Sequence, residues 1–420
     1  MESKRQPLLT PALRLFIGTM ILANIAGRMT VPLLALYVQN LGADVGQVGL
    51  FFTLSLIAPL FFQILGGWMS DRLGRLQAIA IGSIAGVVAN VVYVLAPSWE
   101  WLLISAVGAA MGFAFVAPSF DAFIAEQSTE ETRGRVYGLV MSIFPIVGVI
   151  GPLLGGFLAQ YLSFRAMFMV ACVLYAAAAI IRVFMARSAS RTAAQAGEKA
   201  PAAAGFRASL VEIFGLVAAG GIMTWIFISD GIRDITFSMT DQLTPLYVEN
   251  IMGLSLVQIS SLSAVFSVVT MLFSNVGGWL SDKAGERAGI AGGFIALAIG
   301  WVIFLLGGNH LHFAIAWALW GAGNALVGPA YNVLISKVVP QRLRGTACGL
   351  LSTSVGFIAL PMPWIGAQLW EIFTPRVPFV VPLIGLMVML PIVWFKFKLP
   401  VGKSDVEAGG EPIPAEATQP

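Results

Sequence analysis

The sequence predicts an all-α membrane protein with twelve transmembrane helices arranged as two parallel six-helix repeats. Three observations carry that prediction. The chain is 58% hydrophobic and only 11% charged over 420 residues. Apolar runs of about 20 residues, each long enough to cross the hydrocarbon as a helix, recur between short charged breaks. An internal repeat at a displacement of 211 residues lays GGWMSDRLGR (66–75) on GGWLSDKAGE (277–286).

Composition sets the solvent. Soluble domains are about half apolar and roughly a quarter charged, and no soluble fold of this length hides so much apolar surface. The 45 glycines suit a helical bundle in which small residues let backbones approach. The net charge of +3 is not a nucleic-acid signal, because Lys and Arg sit in short clusters between apolar runs. Cys172 and Cys348 fall inside expected spans and read as packed free thiols. The start MESKRQPLLTPALR reads as no removable signal peptide.

The expected spans lie near 15–39, 46–69, 77–96, 100–123, 136–160 and 165–186, then 224–249, 257–280, 289–308, 311–336, 346–370 and 376–396. They define a first six-helix bundle over 1–186 and a second over 213–398. A cytoplasmic linker at 187–212 and a disordered cytoplasmic tail at 399–420 complete the chain. Residues 208–223 are apolar and read equally as a surface helix or as an extension of the seventh span. The N-terminal stretch, the even-numbered loops, with Arg182 near the end of the sixth span counted in the loop after it, and the C-terminal stretch hold all the basic residues except Arg28, Arg165, Arg233 and Arg376. The positive-inside rule then places both termini in the cytoplasm, as an even number of spans requires. The repeat register persists as Gly112 on Gly323, Pro118 on Pro329, Gly138 on Gly349 and Gly155 on Gly366. LYVQN (36–40) meets LYVEN (246–250) after a one-residue slip. Two halves of like orientation with a site between them near the midplane are one plan for alternating access.

The GGWMSDRLGR loop resembles the signature loop of the major facilitator superfamily, and the resemblance spans essentially the whole chain. In the second copy Lys283 replaces an arginine and Glu286 departs from the pattern. The resemblance implies a gating loop of Gly67, Asp71, Arg72, Gly74 and Arg75, with Glu126 as a partner and Asp282 and Lys283 as the weaker copy. The fifth span, GLVMSIFPIVGVIGPLLGG (138–156), resembles the helix 5 motif of the drug:proton antiporter branch through Gly151, Pro152, Gly155 and Gly156. The match is incomplete: Val147 stands where that motif has glycine, and Ser105 stands where those antiporters carry an arginine on helix 4.

A charge inside a span costs roughly 2.5–3.5 kcal/mol on insertion scales, so such charges are functional candidates. Arg28 lies midway in the first span, one turn beyond Asn24. The seventh span carries Asp230, Arg233, Asp234 and Asp241, whose three carboxylates share one helical stripe that should look into a wet cavity facing Arg28. Asp234 or Asp241 is the expected proton carrier, weighed against a purely structural ion pair of Arg233 with Asp230 or Asp234. Asp121 is a second protonation candidate, read first as a helper of the inner latch. Tyr37, Trp225, Tyr247 and Tyr331 read as interfacial or packing aromatics before drug-site ones.

No GxxxxGKS loop, HExxH pair or GxSxG elbow is present, so neither nucleotide-driven pumping nor hydrolysis has a carrier, and the chain is not expected to be an enzyme. The expectation is a multi-pass secondary transporter in the cell membrane, acting as a monomer on a small-molecule substrate, with no metal and no cofactor beyond a proton gradient. Proton-coupled efflux of small amphipathic organic compounds is the leading function. The alternative is uptake or exchange of a small anionic metabolite, with Arg28 and Arg233 as clamps. A transport-inactive receptor is the third.

Overall fold

The computed structural model describes residues 9–62, 74–196, 222–338 and 356–397, with the backbone alone at 189–196, 222–223, 282 and 338. No strand occurs among them. The first half comprises α1 (Pro11–Thr30, carried by a 3-10 turn to Asn40), α2 (Val45–Ser55), α3 (Arg75–Leu95), α4 (Leu102–Glu126), α5 (Glu130–Tyr161) and α6 (Phe164–Ala196). The second comprises α7 (Ile222–Thr240, continued to Ile251), α8 (Leu256–Ala284), α9 (Glu286–Leu306), α10 (His310–Val338), α11 (Met362–Ile372) and α12 (Val377–Lys396). Ten helices are long and apolar enough to cross a bilayer among the described residues. Two expected spans are not in that set: α7 holds Asp230, Arg233 and Asp234 within 19 residues, and residues 346–355 of the eleventh lie outside the described residues.

Boundaries move where local chemistry favours helix. Pro11 follows an N-cap at Thr10, whose hydroxyl accepts from Leu13 N–H, so α1 starts four residues before the expected span. α6 runs through RSASRTAAQA to Ala196, ten residues into the stretch expected as linker. Alanine, arginine and glutamine are good helix formers, and they prolong a helix already nucleated.

The repeat recurs in three-dimensional detail. Asp44 caps α2 through a capping box with Gln47, and Ser255 caps α8 through one with Gln258. Glycines of positive φ stand at 42 and 253 and again at 74 and 285, each pair displaced by 211. Arg165 lies beside the Tyr37 hydroxyl, and Arg376 donates to Tyr247 Oη at 3.2 Å. The one-residue slip has a physical form. The displacement is 210 at Tyr37 and Tyr247 but 211 at Asp44 and Ser255, and the extra residue is absorbed as a π-turn at Tyr247–Ile251. There Met252 N–H reaches Tyr247 O at 3.3 Å, five residues back.

The repeat also explains the departure at Glu286. Arg75 pairs with Glu126 at 3.3 Å in the first half, and Glu286 pairs with Lys337 at 2.6 Å in the second, at the repeat-related positions with the charges exchanged. Glu286 begins α9 and Lys337 lies in the last turn of α10, the polarity that helix dipoles favour. Arg75 and Glu126 oppose the dipoles, and their pair is the longer one.

A second buried charge ties the first half together. Arg182 of α6 is 1% exposed. It donates to Thr19 Oγ1 at 3.1 Å, Thr19 O at 3.2 Å and Ser83 Oγ at 3.0 Å, so one guanidinium joins α1, α3 and α6.

The halves meet on the side away from the termini. Gly46 N–H donates to Glu371 Oε1 at 2.7 Å, Asn250 Nδ2 to Gln39 Oε1 at 3.0 Å and Leu256 N–H to Gln160 Oε1 at 2.9 Å. On the terminal side the α5–α8 seam is open among the described residues: Met271–Val276 are exposed all around α8, as are Gly138, Leu139, Met141 and Ser142 on α5.

Two predictions follow from these ties. Glu286→Lys alone should destabilise the protein by about 1–3 kcal/mol, since it sets two cations together at a buried position. Glu286→Lys with Lys337→Glu should recover most of that loss, short of a helix-dipole term of about 0.3–1 kcal/mol per charge. Thermal unfolding in detergent checks both. Ser83→Ala and Thr19→Val should each cost roughly 1.5–3 kcal/mol, the usual worth of a hydrogen bond to a buried charge. Unchanged melting in both variants would mean that Arg182 is not a structural tie.

Candidate functional site

Glycines bring the halves close enough to enclose a site. On α5 a Cβ at Gly151 would lie 2.5 Å from Arg28 Cβ, and one at Gly155 would overlap the Met29 carbonyl, so both seat α5 against α1. A Cβ at Gly156 would lie 2.5 Å from Ser260 Oγ, and one at Gly148 2.8 Å from Ser267 Oγ. These two face α8 of the other half. The GPLLGG face therefore holds a helix of each half, and Pro152 within it lines the cavity that the three helices leave.

That cavity has a volume of about 270 Å³ and lies below the far-side closure, between α1, α5, α7, α8, α9 and α10. Its apolar wall is tryptophan. The rings of Trp301 and Trp320 lie 4.4 Å apart and those of Trp317 and Trp320 4.7 Å apart, with Phe237 5.7 Å from Trp301. Gly300 makes room for this cluster, since a Cβ there would sit 2.6 Å from Trp320 Cδ1.

Two charged side chains line the same cavity, Arg28 from one half and Asp241 from the other. Both are exposed within it, and neither has an ion-pair partner among the described residues. Asp241 Oδ2 accepts from Gln242 Nε2 at 3.0 Å. A second cavity of about 270 Å³, between α2, α7 and α11, adjoins the first across Phe237, Asp241 and Gln242.

Of the expected stripe of three carboxylates, Asp241 alone lines the cavity. Its N–H still bonds Phe237 O at 2.8 Å as in a helix, and the chain turns over Asp241–Leu243. Asp230 and Asp234 instead each bond the guanidinium between them, both at 2.8 Å to Arg233 Nη2. Arg233 also lies 5.7 Å from the centre of the Tyr331 ring, whose hydroxyl bonds Ser229 Oγ at 2.7 Å. This triplet is internally paired. Arg28 faces only the last of the three carboxylates across the cavity.

The other sequence-derived candidates are scattered. Asn24 lines a small apolar recess in the first half with Met20, Phe120 and Phe144, and its amide donates to Met20 O at 2.8 Å. Asp121 is exposed on α4, where its backbone carbonyl accepts from Tyr137 Oη at 2.7 Å. Gly74 precedes α3 with φ 95°, and Arg75 meets Glu126 as described. Lys283 sits 4.9 Å from the Trp279 ring centre, and Asp282 is described by its backbone alone. Gly67, Asp71, Arg72 and Cys348 lie outside the described residues.

Sequence reasoning missed two features. The cavity aromatics are Trp301, Trp317 and Trp320 rather than tyrosines: Tyr37 and Tyr247 are buried at the far-side ends of α1 and α7, and Trp225 lies under Lys396. Arg182 was grouped with the loop after the sixth span. Its apolar neighbours Ile181 and Val183 and the hydroxyls of Thr19 and Ser83 at matching depth were the available signal.

Comparison with known proteins agrees with the helical fold. A family model described as Major Facilitator Superfamily matches residues 15–272 and 226–419. The chain is 26% identical over 380 residues to a "Multi-drug resistance efflux pump PmrA homolog" of Lactococcus lactis, covering 87% of this chain and 89% of that protein. It is also 26% identical over 132 residues to "Quinolone resistance protein NorA" of Staphylococcus aureus, covering 31% and 34%. Among solved structures, the nucleoside transporter NupG superposes with a TM-score of 0.72 at 15% identity, covering 92% of this chain and all of the other. The chain thus belongs to the Major Facilitator Superfamily and is a multi-pass membrane transporter, not an enzyme.

Proposed function

We propose that this transporter expels small amphipathic organic compounds in exchange for protons, and that Asp241 is the group protons and cationic substrates share. The observation that carries the reading is the setting of Asp241, an exposed carboxylate with no cationic partner among the described residues, facing a tryptophan-walled cavity between the halves. Aromatic faces attract organic cations as well as apolar bodies. Efflux is the activity in the name of the Lactococcus lactis relative, and the GPLLGG face supports it. Asp234 is a poorer carrier, because it is already paired with the adjacent Arg233 at 2.8 Å.

Both termini lie in the cytoplasm on this reading, following the distribution of basic residues, so the terminal-side opening at α5 and α8 faces inward. The two halves, near 1–186 and 213–398, rock about the central cavity, and a single chain is the working unit. The loop of Gly67, Asp71, Arg72 and Arg75 gates the inner side.

One carboxylate that holds either a proton or a monovalent cation has a definite energetic signature. The exchange is electroneutral, so the pH difference drives it at about 1.4 kcal/mol, or tenfold accumulation, per pH unit, and the membrane potential adds nothing. In proteoliposomes with an imposed pH gradient, ethidium movement should stop on collapsing that gradient and persist on collapsing the potential. Asp241→Asn should lower pH-driven movement more than tenfold, and Asp234→Asn much less. Full pH-driven movement in Asp241→Asn would overturn the reading. Movement of organic anions with none of ethidium would favour the anion carrier, with Arg28 as its binding group.

A further inference from the structure

The cavity carries opposite charges on its two sides, and the export reading uses only one of them. Arg28 from α1 and Asp241 from α7 line one space and are not bonded to each other, with about 270 Å³ of cavity shared between them. A ligand with a single charge would satisfy one and leave the other facing it across a tryptophan wall. Once a ligand displaces the water of this cavity, a charge left unmatched opposite it is a cost, whereas two matched charges each gain.

We propose that the cavity selects zwitterions: compounds with a planar aromatic body, a cationic amine that bonds Asp241 and a carboxylate that bonds Arg28. The aromatic body lies against Trp301, Trp317 and Trp320. The guanidinium offers a two-pronged donor face that matches a carboxylate. Because the two charges belong to different halves, a zwitterion bridges them, and this couples occupancy to the approach of the halves. Substrates with only the amine remain acceptable but weaker. The inference rests on the export reading for its setting, yet concerns recognition alone and is tested by binding.

A matched set of quinolones isolates each charge: norfloxacin with both, its ethyl ester with the cation only, and its N-acetyl derivative with the anion only. Binding to the purified full-length protein is read by quenching of tryptophan fluorescence. Wild type should bind norfloxacin at least tenfold more tightly than either derivative. Arg28→Gln should erase the advantage over the ester, weakening norfloxacin binding and leaving ester binding as tight as in wild type or tighter. Asp241→Asn should erase the advantage over the N-acetyl derivative. Arg28→Lys should retain part of the preference, which separates charge recognition from misfolding. Equal binding of norfloxacin and its ester to wild type, or an unchanged preference in Arg28→Gln, would overturn the proposal and leave export intact. Tight norfloxacin binding that follows these rules, with no pH-driven ethidium movement, would overturn the export reading and leave zwitterion recognition standing.

Discussion

A charge within the hydrocarbon must be paired or wet, and that constraint orders the interior of this protein. Arg182 is enclosed by hydroxyls and a carbonyl from α1 and α3, so it binds helices together. Arg233 is clamped by Asp230 and Asp234. Glu286 and Lys337 neutralise each other where α9 and α10 meet. Arg28 and Asp241 have no such partner among the described residues and face a cavity instead. The paired charges build the scaffold, and the two wet ones are left to meet a substrate.

The chain carries two copies of one structural solution, and the differences between them carry meaning. Capping boxes and positive-φ glycines recur at the repeat spacing, and an arginine stands beside the matching tyrosine in each half. The ion pair at the starts of α3 and α9 recurs with its sign reversed. Helix dipoles favour the second polarity, so the second half holds its pair more tightly. The single-residue insertion in the second copy appears as a π-turn at the end of α7, just beyond Asp241. The seventh helix therefore departs from its counterpart beside the cavity.

Much of this was legible in the sequence. Apolar runs fixed the order of helices because in lipid the backbone must satisfy itself. The repeat and the GPLLGG spacing were readable because close helix contacts demand glycine at set intervals. The stripe of Asp230, Asp234 and Asp241 gave three candidates where the cavity holds one, because periodicity does not show pairing, and Asp230 and Asp234 close on Arg233. The tryptophan wall was invisible because burial of Trp301 and Trp320 depends on where α9 and α10 cross, seated by Gly300. Arg182 escaped notice because a basic residue near a span end reads as a flanking charge until its partners on other helices are known.

The central claim is that Asp241 governs occupancy of a wet cavity open from the terminal side. Asn324 is exposed in that cavity on α10, so Asn324→Cys, with Cys172 and Cys348 replaced by serine, reports on it directly. A charged, membrane-impermeant thiol reagent applied from the terminal side should label it, ethidium should protect it, and Asp241→Asn should abolish the protection. Absence of labelling, or protection indifferent to Asp241, would contradict the account.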